Sequence, residues 1–253
     1  MINVQGLTKK YGKLTANDDI TLSVNRGELA VILGPNGAGK STLIKSICGL
    51  LRFQGSVTIG GHENHTIDAK QILGYVPEFP VLYPMLTVTE HLEFIAKAYR
   101  LNQWEKRAEE LLYRFELDDK RMKLGKELSK GMQQKVSVCC ALLPQPKALI
   151  LDEPLVGLDP HGIRQLKIVL SELRNSGCAL LISTHMIGSV EENWDITYIM
   201  VKGKIKQVCH RGEIGANQRL EDIYFQITEE EGGSAKDLYK DLAKDLNGNM
   251  EGK

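Results

Sequence analysis

The chain has 253 residues, of which 42% are hydrophobic and 25% are charged. These proportions are typical of a soluble globular protein and exclude collagen-like, wholly disordered and all-membrane chains. The 32 basic residues are balanced by 32 acidic ones. We therefore expect no nucleic-acid partner, because such binders usually carry a basic surplus.

Two further features bear on the cellular compartment. The five cysteines show no metal-binding or C-x-x-C spacing, and the first residues do not resemble a secretory signal. Both observations predict a reduced, cytoplasmic location. No apolar run approaches the roughly 18 residues of a membrane span, so we expect any membrane-spanning part to come from another chain.

Taken in chain order, short β-branched runs alternate with longer helical patterns, which predicts an α/β protein with a mainly parallel sheet. Residues 1–27 and 55–60 predict an N-terminal antiparallel β subdomain. Residues 28–33 predict a buried strand, followed by a glycine-rich turn and a helix over 40–50. Further strands are predicted over 148–151 and 179–183, with a helix over Pro160–Asn175 between them that Gly177 ends.

The segment from about residue 79 to 143 is rich in helical spacing and poor in strands. It predicts an inserted helical subdomain, with an apolar stripe formed by Leu92, Ile95, Ala96 and Tyr99. One domain is expected over residues 1–228, followed by a polar tail over 229–253. A three-fold Lys-Asp-Leu repeat makes a short helix possible in this tail. That helix is either marginal on its own or a docking helix for a partner.

The glycine-rich turn matches the phosphate-binding pattern G-x-x-x-x-G-K-[ST] and lies between a predicted strand and a predicted helix. It comprises Gly34, Pro35, Asn36, Gly37, Ala38, Gly39, Lys40, Ser41 and Thr42. Its glycines allow backbone N–H groups to close around phosphate oxygens, and the helix N-terminus adds a positive potential. Lys40 is predicted to reach the outer phosphates, and Ser41 to offer its hydroxyl to Mg²⁺.

Two later strands end in residues suited to catalysis. Asp152 and Glu153 follow the apolar run 148–151. Asp152 suits a Mg²⁺ site, and Glu153 is predicted to be the general base that polarises an attacking water. His185 ends the next strand, where it would face the ligand crevice and contact the γ-phosphate or orient the water.

In this order, the motifs resemble those of the nucleotide-binding subunit of ABC transporters. The discriminating stretch is L-S-K-G-M-Q at residues 128–133, which is similar to the family's signature L-S-G-G-Q. The later sequence Gly157-Leu158-Asp159 adds to the resemblance, which spans roughly residues 2–228. It implies a P-loop NTPase core and an ATPase domain over 1–228.

The resemblance also implies ligands, partners and roles. Tyr11 matches the aromatic that stacks on the adenine of ATP, and Asp159 lies in the loop that links two sites. Ser129, Lys130 and Gly131 would approach the γ-phosphate bound by a second ATPase subunit, either a copy or a close relative. A separate transmembrane permease would hold this dimer at the inner face of the cell membrane.

Three positions depart from the usual family pattern. Lys130 replaces a glycine, although a cation near the γ-phosphate could compensate. Met132 replaces a glutamine, and Glu78 stands where glutamine is usual. Glu78 can still bind Mg²⁺ or hold water, but it adds negative charge near ATP. Such substitutions are typical of an exporter-type branch that serves permeases for drugs, antibiotic peptides or ions.

The apolar, proline-containing stretch 79–85 follows Glu78 directly. It is poorly suited to a regular helix or strand. It either packs within the helical subdomain or lines a groove that receives a short helix from the membrane subunit. The sequence leaves both possibilities open.

Three other functions compete with that of a transporter subunit. A soluble regulatory ATPase of the same fold remains the alternative. A different P-loop enzyme such as a GTPase is disfavoured because the N-K-x-D pattern is absent. A non-hydrolysing nucleotide binder is disfavoured because Lys40, Asp152, Glu153 and His185 are all present.

Overall fold

The computed structural model describes residues 1–186, 194–214 and 219–230. The strands of this part are β1 (Ile2–Tyr11), β2 (Leu14–Val24), β3 (Leu29–Leu33), β4 (Gln54–Ile59), β5 (His62–Glu63), β6 (Leu73–Val76), β7 (Ala148–Asp152), β8 (Ala179–Thr184), β9 (Ile196–Val201) and β10 (Lys204–His210). Its α-helices are α1 (Lys40–Ile47), α2 (Ile67–Gln71), α3 (Val88–Ala98), α4 (Glu105–Arg114), α5 (Lys130–Leu142), α6 (Pro160–Asn175) and α7 (Leu220–Glu230).

The strands form two sheets, as the sequence predicts. The larger sheet has the order β10-β9-β3-β8-β7-β6, and all neighbouring strands in it are parallel except β10 and β9. The smaller sheet has the order β2-β1-β4-β5 and is antiparallel. The α/β class with a mainly parallel sheet and an N-terminal antiparallel sheet is therefore confirmed.

The strands β3, β7 and β8 are mainly apolar, as expected for a sheet that is covered on both faces. Along β3, Val31 and Leu33 face a core shared with the helical segment. Ala30 and Ile32 face a second core, which β3 shares with α1 and the small sheet. Because successive side chains of a strand point to opposite faces, β3 contributes to both cores.

Helix α1 is shorter than predicted, because it ends at Ile47 rather than at residue 50. Gly49 has a φ of 72°, a left-handed conformation that terminates helices. The N–H of Leu50 donates to the carbonyl of Lys45 at 2.9 Å and closes the end. Helix α6 has its predicted bounds, and Gly177 follows it with a φ of 89°.

Helices α3, α4 and α5 lie between β6 and β7 in sequence. Thr87 and Glu90 form a capping box at the start of α3, which explains why the helix begins there and not within the preceding apolar stretch. Phe115 and Leu117 follow α4 and are fully buried in the core that the helices share with the large sheet. These contacts fix α5, and with it the stretch 128–133, against the sheet.

The C-terminal part of the structure differs from the expectation at one point. Glu229 and Glu230 belong to α7 rather than to a flexible break. Leu220, Tyr224 and Thr228 are buried along one side of this helix, so its packing carries it past the predicted boundary. The tail helix suggested by the Lys-Asp-Leu repeat lies outside the described residues.

Within the ranges that the structure describes, no helix is both long enough and apolar enough to cross a membrane.

Candidate nucleotide-binding site

Four parallel strands end side by side, and each delivers one of the predicted site segments. The phosphate loop follows β3, Glu78 follows β6, Asp152 and Glu153 end β7, and His185 follows β8. The carboxyl ends of parallel strands lie at one edge of a sheet, where ligands of open α/β folds bind. The sheet order therefore gathers residues that are more than 100 positions apart in sequence.

Close packing requires glycine at two positions of the phosphate loop. A Cβ on Gly34 would lie 2.2 Å from the carbonyl oxygen of Met200. Gly39 has a φ of 102°, and a Cβ there would lie 2.4 Å from the carbonyl oxygen of Ala16. No side chain fits at those distances, so both glycines hold the loop against its neighbours. Between them, Asn36 and Gly37 are exposed and Ala38 is buried.

Lys40 is the first residue of α1 and is buried. Its Nζ donates to the carbonyl oxygens of Gly34 at 2.7 Å and Pro35 at 3.3 Å, and so lies under its own loop. The same Nζ is 3.4 Å from Oε1 of Glu153. The structure therefore joins the predicted phosphate-binding lysine to the predicted base as an ion pair.

Glu153 has a strained backbone, with a φ of 46°, and such strain is concentrated at functional sites. Its N–H donates to the carbonyl and the hydroxyl of Ser183, both at 3.1 Å, which fixes the turn. Nδ1 of His185 lies 3.0 Å from Oε1 of Glu153. Burial opposes ionisation, but the hydrogen bond from His185 and the charge of Lys40 outweigh it and hold the pKa of Glu153 below its usual range.

Asp152 is 1% exposed and is only partly satisfied by hydrogen bonds. Its Oδ1 accepts from the hydroxyls of Ser41 at 3.2 Å and Ser183 at 2.5 Å. Among the described residues, its Oδ2 is buried without a hydrogen-bond partner. A carboxylate oxygen left over beside a hydroxyl is a donor set that suits a hard cation such as Mg²⁺.

Glu78 faces the same group of charges and is half-buried. Burial and the nearby carboxylates of Asp152 and Glu153 raise its pKa above the usual value, although Lys40 and Lys45 oppose the shift. The negative charges of the two neighbouring carboxylates thus disfavour a third charge at Glu78.

Tyr11 lies at the end of β1 and is 47% exposed, with Nζ of Lys9 at 4.8 Å from its ring centroid. The next strand touches the phosphate loop, because Nδ2 of Asn17 donates to the carbonyl of Gly39 at 3.1 Å. Tyr11 is therefore an accessible ring on a hairpin that borders the loop.

The stretch 128–133 forms the start of α5. The hydroxyl of Ser129 caps the helix by accepting from the N–H of Met132 at 3.3 Å. A Cβ on Gly131 would lie 2.6 Å from the carbonyl oxygen of Gly157, so this turn packs closely on the loop that follows Glu153. Across the described ranges, no hydrogen bond or ion pair links Ser129 or Lys130 to the phosphate loop.

Asp159 ends that loop and caps α6 by accepting from the N–H of Gly162 at 3.1 Å. Nζ of Lys135 lies 3.0 Å from Oδ1 of Asp159 and 3.7 Å from Oε2 of Glu116. Burial works against the carboxylate of Asp159, but the hydrogen bond and charge of Lys135 prevail and lower its pKa. The loop is therefore tied to α5 at both its glycine and its aspartate.

Sequence reasoning assigned no role to two residues of this region. Ser183 bonds both Asp152 and the backbone of Glu153, and Lys135 holds Asp159. The feature of the sequence that could have indicated these roles is a polar residue among apolar ones. Ser183 ends a buried run, and Lys135 lies inside a largely buried helix.

The family model described as ABC transporter matches residues 17–156, which is more than half of the chain. The chain belongs to the ABC transporter family. The ABC cassette is 33% identical to the ABC-type transporter ATP-binding protein EcsA of Bacillus subtilis, over 92% of this chain and 98% of that protein. It is 32% identical to the lantibiotic transport ATP-binding protein SrtF of Streptococcus pyogenes, over 88% of this chain and 96% of that protein.

Solved structures agree with these relatives. A structure of the ATP-binding subunit of an ABC transporter superposes with a TM-score of 0.80 at 34% identity, covering 96% of this cassette and 100% of that chain. A dimeric cassette in a post-hydrolysis state, bound to ADP and phosphate, superposes with a TM-score of 0.73 at 27% identity, covering 83% and 98%. The cassette is an ATP-binding transporter subunit and an ATPase, and the predicted resemblance to antibiotic-peptide and export subunits is confirmed.

Proposed function

We propose that the chain binds MgATP at the strand-end site and that its hydrolysis of ATP drives a separate membrane permease, in the direction of export. The observation that carries the proposal is the joining of Lys40, Glu153 and His185 beside the pair Ser41 and Asp152. Phosphoryl transfer to water requires a cation for the phosphates, a base for the water and a site for Mg²⁺, and these three sets of residues lie together at the strand ends.

The phosphate loop binds the nucleotide through the backbone N–H groups of residues 36–42. Ser41, Asp152 and Glu78 supply oxygens that would hold Mg²⁺, which neutralises phosphate charge when it is bound. Lys40 turns from Glu153 toward the β- and γ-phosphates, because a polyphosphate carries more charge than one carboxylate. Tyr11 offers its accessible ring to the adenine.

Release of Lys40 changes the base. In the nucleotide-free chain, the charge of Lys40 lowers the pKa of Glu153. When Lys40 turns to the phosphates, this effect is lost, and the affinity of Glu153 for a proton rises. Glu153 then takes a proton from the attacking water as the water oxygen bonds to the γ-phosphorus and the bond to ADP breaks. His185 keeps the carboxylate oriented through its contact at 3.0 Å.

A second ATPase subunit completes the site. One cluster around Gly157 contains Ser129, Lys130, Gly131 and Asp159. Among the described residues, no hydrogen bond or ion pair connects this cluster to the phosphate loop of the same chain. We infer that Ser129, Gly131 and Asp159 face the γ-phosphate bound by the other copy, so that each site needs both chains. The similar dimeric cassette with ADP and phosphate supports this arrangement.

The permease contact is assigned to the stretch 79–85 and α3. Phe79, Val81, Tyr83 and Met85 are between 54% and 87% exposed, and an apolar groove of about 450 Å³ runs between this stretch, α3 and α5. The N–H of Tyr83 donates to Nε2 of His91 at 2.9 Å, which braces one wall. A short helix of a permease fits such a groove, and this contact would hold the cassette on the inner face of the membrane.

The proposed function is tested with Glu153→Gln, which keeps the shape of the side chain and removes its basicity. Binding of a fluorescent ATP analogue should stay within about threefold of the wild type, while the rate of hydrolysis should fall by about 10²–10⁴. The matched control is Glu63→Gln, an exposed glutamate on β5. Hydrolysis by Glu153→Gln at a rate close to that of the control would refute the role of Glu153.

A further inference from the structure

Lys130, the residue that departs from the usual signature, contacts two separate segments. Its Nζ lies 5.5 Å from the ring centroid of Phe79, within the range of a cation–π interaction. Its stem runs along the other neighbour, because a Cβ on Gly157 would lie 3.9 to 4.0 Å from its Cγ, Cδ and Cε. The side chain therefore reaches from the groove stretch 79–85 to the loop after Glu153.

These two segments belong to the two functional regions of the chain. Phe79 directly follows Glu78, and it is the first exposed ring of the stretch 79–85, whose residues Val81 and Tyr83 line the groove. Gly157 lies between the base Glu153 and Asp159, and its carbonyl packs on Gly131. Lys130 is flanked by Ser129 and Gly131, so any force on its side chain acts on the turn 129–131.

We propose that Lys130 is a positioning residue that couples the groove stretch to the signature turn through its contact with Phe79. The proposal rests on the function proposed above and deepens it. A permease helix in the groove would press on the stretch 79–85 and so displace or hold Phe79, and Lys130 would transmit that change to Ser129 and Gly131. A glycine at position 130 has no side chain and could not make this connection.

This role differs from direct compensation of phosphate charge by Lys130. A direct contact with the γ-phosphate would require the cation but not Phe79. A positioning role requires both the cation and the aromatic ring, because the ring's quadrupole attracts the ammonium. The two roles therefore differ for the single variant Phe79→Leu, which disturbs the turn 129–131 only if Lys130 acts through the ring.

The test is a double-mutant cycle with Lys130→Met and Phe79→Leu, which keep apolar bulk and remove the charge or the ring. A cation–π contact at an exposed site is worth a twofold to fivefold change in an equilibrium. Amide hydrogen exchange of residues 129–133 should rise twofold to fivefold in each single variant and no further in the double variant. Lys130→Arg should retain the wild-type exchange, because arginine keeps the cation.

The ATPase activity of the full chain gives the second measurement. We expect kcat/KM to fall twofold to fivefold in each single variant and by the same factor in the double variant, whereas the matched control Lys126→Met, also exposed and near the turn, stays at the wild-type value. Losses that multiply in the double variant, or unchanged exchange at 129–133, would overturn the proposal. The exchange measurement does not depend on ATP turnover. It therefore tests the positioning role of Lys130 even if the result for Glu153→Gln refutes the proposed function.

Discussion

The ion pair between Lys40 and Glu153 gives a prediction whose size follows from the structure. Nζ and Oε1 are 3.4 Å apart and both side chains are 6% exposed. At an effective dielectric constant of 20, the attraction is ~5 kcal/mol before desolvation. Removing one partner of a buried pair costs about 3–5 kcal/mol. Because His185 still contacts Glu153, we expect Lys40→Met to lower the free energy of unfolding by ~3 kcal/mol, at the lower end of this range. In a domain of this size, that lowers Tm by roughly 6–12 °C.

The double variant Lys40→Met with Glu153→Gln should recover most of this loss, because a neutral amide needs no countercharge. The sign of the pH dependence follows from the lowered pKa of Glu153. Its contribution to stability is complete above the ordinary glutamate pKa of ~4.3 and is lost as the pH falls through the lower folded value. The advantage of the wild type over Lys40→Met is therefore largest at neutral pH.

The assay is thermal and urea unfolding of nucleotide-free protein at pH 7 and at acidic pH. The matched control is Lys45→Met on the same helix, an exposed lysine that should change the free energy of unfolding by less than ~0.5 kcal/mol. Equal destabilisation in Lys40→Met and in the double variant would refute the reasoning, because the loss would then come from packing and not from an unpaired carboxylate.

Three more outcomes are expected. Glu78→Gln removes a carboxylate from the cation site and should raise the Mg²⁺ concentration for half-maximal ATPase activity severalfold; an unchanged Mg²⁺ curve would contradict this. Tyr83→Asp should reduce co-purification with the permease at least tenfold, whereas Tyr113→Asp, 75% exposed on α4, should not; equal retention would exclude the groove. Gln134→Leu should raise the free energy of unfolding by about 1–2 kcal/mol in urea titrations, because the buried amide has no hydrogen-bond partner among the described residues; a loss of stability would show that it has one.

Local sequence was sufficient for the parts of the site that one segment builds. The phosphate loop needs a strand, glycines and a helix start, all within residues 29–47, and the pattern predicts each of them. The ends of β7 and β8 were likewise predicted from apolar runs that stop at polar residues. The end of α1 was not, because the left-handed conformation of Gly49 outweighs the helical pattern up to residue 50.

Contacts between distant segments could not be predicted from the sequence. The packing of Gly131 on Gly157, the ion pair of Lys135 with Asp159 and the contact of Lys130 with Phe79 each join segments 24 or more positions apart. A motif specifies which residues occur together, but not which neighbour each side chain contacts. For that reason, the contact of the Lys130 ammonium with the ring of Phe79 could not be predicted from the sequence.

The central claim is that the chain closes on ATP as a dimer and that Glu153 is the base that ends this state. The most direct test is the mass in solution of purified Glu153→Gln, measured by light scattering with MgATP and with MgADP. The account predicts a dimer with MgATP and a monomer with MgADP. A monomer under both conditions, with ATP demonstrably bound, would contradict the claim that two copies complete each other's sites.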